Sequence, residues 1–100
     1  MILVRLVFQA KFNRANEVVA GFKQAQEMVG QIAGPNVHVR ILTDLSGPFN
    51  TVVQEIEVES LAEWERLRTK IFSDPRFQEG QANASAMIES GRTEFYTIEA

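Results

Sequence analysis

The hydrophobic period of this chain switches between that of a strand and that of a helix in one particular order, and that order leaves few folds open. Ile2, Val4, Leu6 and Phe8 alternate with Leu3, Arg5, Val7 and Gln9 over residues 2–9, a strand pattern rich in branched side chains. Val18, Phe22, Ala25, Val29 and Ile32 then recur at steps of four and three behind Asn13, a capping residue, and Gly34-Pro35 stops the run. Gly21 and Gly30 each cost such a helix about 1 kcal/mol relative to alanine, so its stability has to come from packing on a sheet. Val37 to Thr43 and Thr51 to Val58 alternate on either side of Ser46-Gly47, which reads as a hairpin turn.

Ser60-Leu61-Ala62-Glu63 is a capping box, in which serine accepts from the Glu63 amide and the glutamate reaches back. Leu61, Trp64, Leu67 and Ile71 give the helix behind it one apolar stripe. Asp74-Pro75 breaks that helix and opens a shorter one carrying Phe77, Ala84, Met87 and Ile88. Gly91 suits a helix C-terminus, and Arg92 to Glu99 alternates as a fourth strand. The sum is a βαββαβ, ferredoxin-like α+β fold. It predicts a four-stranded antiparallel sheet with its helices on one face and residues 1–100 as a single domain.

Composition removes several function classes. The net charge of -3 is spread without a basic run, so the footprint of a nucleic-acid binder is missing. No apolar run approaches the roughly 20 residues of a membrane span, and Arg5 interrupts the apolar opening too early for a signal peptide. The chain has no cysteine, which removes thiolate chemistry and fits a reducing, cytoplasmic setting.

A turn centred on Ser46-Gly47 makes paired residues sum to 93, which sets Val37 against Ile56 and Ile41 against Val52 on the helix side. The uncovered side then pairs His38 with Glu55 and Arg40 with Val53. It also gathers Leu3, Arg5, Val7, Leu42 and Glu57, with Phe95 and Thr97 from the last strand. Five apolar groups on one open face predict that something covers it, and a second copy is the simplest cover.

At this point the chain resembles the dimeric α+β barrel superfamily, above all its NIPSNAP-like and antibiotic-biosynthesis-monooxygenase-like members. The likeness lies in EIEVESLAEWERLRTKIFSDPRFQE and IESGRTEFYTIEA, and in length and element order along nearly the whole chain. It implies a homodimer whose two sheets face each other and close a barrel. Heme-degrading members of the superfamily carry a helix histidine, whereas His38 lies on a strand, so the resemblance brings no heme ligand with it.

Two function classes follow. One is a dimeric protein, structural or binding a small apolar or amphipathic molecule, without cofactor or metal. The other is a cofactor-free oxygenase or isomerase with His38 as general base oriented by Glu55. Arg5, Arg40 and Glu57 are candidate contacts to a polar ligand, although two charges of each sign on this face can satisfy one another. Trp64, Phe72, Phe77 and Tyr96 are candidates to line a pocket between helices and sheet, against the plainer reading that they are core. His38 with Glu55 and Glu57 is too unspecific a set to predict a metal. Space beside His38 would separate the classes.

Overall fold

Strand β1 (Ile2–Ala10) leads through a tight turn into helix α1 (Ala15–Ala33). Strands β2 (Val39–Thr43) and β3 (Thr51–Val58) form a hairpin, helices α2 (Leu61–Phe72) and α3 (Pro75–Ser85) follow, and β4 (Ile88–Thr97) closes the sheet. The structure is a computed structural model and describes residues 1–34 and 37–100. The four strands are antiparallel in the order β2-β3-β1-β4.

Alternation along the strands decides what is buried. Val4 and Ile56 are cross-strand partners and lie under Trp64, Leu67 and Ile71 of α2, with Val29 and Ile32 of α1 and Phe77 of α3 packed around them. A second cluster joins Ala10 and Val52 to Val18, with Phe22 and Met87 at its margin. All three helices therefore cover the face that carries Ile2, Val4, Leu6, Phe8 and Ala10.

The expected βαββαβ sheet is present, and several boundaries differ. Asn13 does not cap α1. It takes a positive φ of 63° in the turn where the Arg14 amide bonds to Lys11, and Arg14 is the N-cap without a side-chain bond. Gly34, at φ 89°, ends α1, while Pro35 lies outside the described residues. Ser60 accepts from the Glu63 amide at 3.1 Å as expected, and the Glu63 carboxylate pairs with Arg66. Helix α3 stops at Ser85, so Met87 and Ile88 leave it and β4 begins four residues before the expected strand. Gly91 is no helix terminus: it sits within β4 opposite Phe8, whose ring covers it and in turn meets Phe22 at 5.2 Å between centroids.

The hairpin register is two residues away from the expected one. Val39 pairs with Ile56, Arg40 with Glu55 and Leu42 with Val53, so partners sum to 95. The reason is Pro48. A two-residue turn at Ser46-Gly47 would need an N–H at position 48 to open the ladder, and proline has none. The hairpin instead closes at Asp44 and Thr51: the Asp44 amide donates to the Thr51 carbonyl at 3.2 Å and the Thr51 amide to Asp44 Oδ1 at 3.0 Å. A slip of two keeps every side chain on its face.

Candidate functional site

The face turned away from the helices is polar at its centre. The register places Arg40 (β2), Glu55 (β3), Arg5 (β1) and Glu94 (β4) in one row across all four strands. Arg5 donates through Nε to Glu55 Oε2 at 3.0 Å and through Nη1 to Glu94 Oε1 at 2.9 Å. Arg40 bonds to the other Glu55 oxygen, Arg92 donates to Glu94 Oε2 at 2.9 Å, and the Tyr96 hydroxyl donates to Glu94 Oε1 at 3.2 Å. Each guanidinium contributes fixed N–H donors, so the row becomes a continuous belt of ion pairs. The next row of the same face pairs Val7 with Val53, which are buried although they lie on the side away from the helices.

The belt perturbs its members in the direction its bonds require. Partial burial works against the charge of Arg5, but the hydrogen bond to Glu55 and the charge of Glu94 outweigh it and hold the guanidinium pKa above its ordinary value. The hydrogen bond from Arg92 holds the Glu94 carboxyl below the ordinary glutamate value, against some desolvation and with help from Tyr96 and the charges of Arg92 and Arg5.

Beside the belt, at the β2–β3 side of the face, lies an open depression of about 230 Å³ lined by Met1, Leu3, His38, Arg40, Glu55 and Glu57. His38 and Glu55 therefore share a face and a rim. They are not cross-strand partners, because Arg40 holds that position opposite Glu55 and both Glu55 oxygens are bonded to arginine. Arg5, Arg40 and Glu55 satisfy one another as expected, and the fourth member is Glu94 rather than Glu57.

The four aromatic candidates do not meet in one place. Trp64 is buried among Val4, Ile56, Val58, Leu67 and Ile71. Phe72 stacks on Phe77 at 4.9 Å and is itself exposed, with the Arg68 guanidinium 4.7 Å from its ring centroid. Tyr96 is on the opposite side of the sheet, paired with Leu3, and Phe95, expected on the open face, is on the helix side across from Val4. Arg92 and Glu94 were not foreseen as site residues. The signal for them is the spacing Arg92-x-Glu94-x-Tyr96, which puts three hydrogen-bonding side chains on one face of a strand.

Among the described residues no three His, Cys, Asp or Glu side chains come together as metal ligands. No helix is long and apolar enough to cross a membrane.

No family model matches the chain, and no curated protein does. Solved structures do match it. An uncharacterized NIPSNAP domain protein from Burkholderia xenovorans superposes with a TM-score of 0.87 at 17% identity, covering 100% of this chain and 96% of that one. A NIPSNAP family protein from Agrobacterium tumefaciens gives 0.82 at 20% identity over 96% of this chain and 90% of its own. An antibiotic biosynthesis monooxygenase gives 0.74 at 15% identity with both chains covered in full. At these identities the likeness establishes the fold alone: the chain has the ferredoxin-like α+β architecture seen in NIPSNAP and antibiotic-biosynthesis-monooxygenase-like proteins.

Proposed function

We infer that this protein is a homodimer of the α+β barrel type whose open sheet faces meet, and that it binds a small amphipathic molecule where the depression beside His38 is closed over by the second copy. The observation that carries this reading is the depression itself, next to a belt that is already assembled. At about 230 Å³ it is smaller and more open than the roughly 300–1,000 Å³ cavities that hold ligands in most proteins. A second sheet laid over it would turn a shallow basin into a chamber with Leu3 and Met1 for an apolar body and Arg40, His38 and Glu57 for a polar end. A belt of five charged groups is also a device suited to an interface. In open water such pairs contribute little, whereas under a covering surface they are screened less and fix how two faces align.

The enzymatic reading, with His38 as general base, is the weaker one. Glu55 would orient the imidazole only by giving up its bonds to Arg5 and Arg40. The absence of cysteine suits a reducing compartment such as the cytoplasm. Native mass spectrometry of the purified protein tests the proposal directly. The expected result is twice the chain mass with a retained small molecule, and a ligand-free monomer at micromolar concentration would overturn it.

A further inference from the structure

Two loops at one end of the sheet hold three large apolar side chains out in solvent. Leu45 and Phe49 stand on the β2–β3 loop and Phe12 on the β1–α1 loop, with exposures of 102%, 77% and 76%. Single exposed leucines are ordinary, but three such groups on adjoining loops call for a cause. Lack of order is not that cause. The Ala10 amide donates to the Asn50 carbonyl at 2.9 Å, the Gln9 side chain bonds to the Phe49 carbonyl, and the Thr51 hydroxyl donates to the Pro48 carbonyl at 2.9 Å. Gly47 at φ 98° and Asn50 at φ 62° supply the left-handed positions that such a loop needs. The backbone is tied down, and the side chains point away from it.

We propose that this end of the molecule is an arm that grips a second copy of the chain when the open faces meet; the inference rests on the dimer reading above. Area is the argument. Four strands about 4.8 Å apart and eight residues long at about 3.3 Å each make a face of roughly 500 Å². A stable pair of this kind buries about 800 Å² on each partner. Much of the sheet face has little left to give, because Val7, Val53 and Glu55 are already only 6%, 7% and 9% exposed in the single chain. Leu45, Phe49 and Phe12 hold roughly 300–400 Å² between them, about the area that is missing. In a twofold pair each copy would extend its arm past the edge of its own sheet and lay these side chains on the other.

Charge favours a copy of this chain over a bilayer. The chain carries -3 and Asp44 closes the same loop; of the two cations flanking Phe12, Arg14 is paired with Glu17 at 2.8 Å, which leaves Lys11 as a single positive charge beside the patch. An anionic membrane would find little to attract it.

Sedimentation velocity on the full chain, from nanomolar to micromolar concentration, tests the arm against the Leu45→Ser/Phe49→Ser double variant. These side chains bury almost nothing in the protomer, so far-UV circular dichroism and the melting temperature of the dissociated protein should be unchanged. If this double variant fails to fold, Phe12→Ser takes its place. The arm predicts a dimer dissociation constant raised at least about 30-fold, the weight of an interface hot spot. A wild-type dimer whose dissociation constant stays within threefold in the variant would overturn the arm and leave the dimer standing. A wild-type monomer throughout would overturn the dimer and the arm with it. Co-sedimentation of the wild type, but not the variant, with phosphatidylcholine–phosphatidylglycerol vesicles would assign the loops to a membrane and overturn the proposal.

Discussion

Glu55 and Glu94 are each shared between two arginines, yet they should respond differently to change. Glu55 is buried and joins Arg5 to Arg40, so Glu55→Ala leaves Arg40 without its partner and Arg5 held by Glu94 alone. A loss of about 1–3 kcal/mol in urea denaturation is expected. Glu94 lies nearer the surface, and its contribution follows pH. Its carboxyl titrates below the ordinary value of 4.5, so the stability it adds is fully present above that value and is lost as pH falls through the lower folded value. Thermal melts of Glu94→Gln should therefore lie below wild type at neutral pH, with the gap closing on acidification below about pH 4.5; a gap that stays constant to about pH 3 would remove Glu94 from the belt. Arg5, Arg40 and Glu55 could be placed together from sequence because three strands alternate cleanly between apolar and polar faces. Arg92 and Glu94 could not. The last strand puts one aromatic on each side, Phe95 with the threonines and Tyr96 with the charged pair, so hydrophobic alternation does not say which side faces the helices.

At the scale of elements, helix starts were more legible than turns. Ser60 and Asp74 cap α2 and α3 as expected, since a short side-chain acceptor just before an apolar stripe has few other uses. Ser60→Ala should cost about 1 kcal/mol, read from the denaturation midpoint at constant slope. The hairpin register differs from the expected one for a physical reason: a period of two cannot detect a slip of two, so only the turn decides, and Pro48 is the residue that rules the short turn out. Gly91 reads as a helix end in the sequence because a glycine after a helical stretch has that use more often. In β4 it makes room for an aromatic ring instead. A Cβ at this position would lie 3.0 Å from Phe8 Cδ1, and Phe8 is held from its other side by Phe22. Gly91→Ala should accordingly cost about 1 kcal/mol from crowding, even though alanine suits an ordinary strand backbone better. Restoration of stability by adding Phe8→Leu would confirm the crowding, and an unchanged or higher melting temperature for the single variant would refute it.

For the whole molecule, the dimer proposed above makes the open face its interface. Leu42 is exposed there in the single chain, so Leu42→Glu should leave the protomer folded while placing an unpaired carboxylate in the interface. Light scattering is expected to report a folded monomer for this variant and a dimer for wild type. Chain order adds a second property. The central strand β1 is made first in sequence but is flanked by β3 and β4, with Ile2 set against both Val58 and Thr97. No short loop joins it to either neighbour, so forming the sheet means closing long stretches of chain before any ladder bond repays the entropy. Refolding should be slow for a domain of this size. Until β4 docks, β1 presents a bare, strongly apolar backbone edge, the kind of template on which chains join one another rather than themselves. Recovery from denaturant should therefore fall as protein concentration rises, even where the native state is stable.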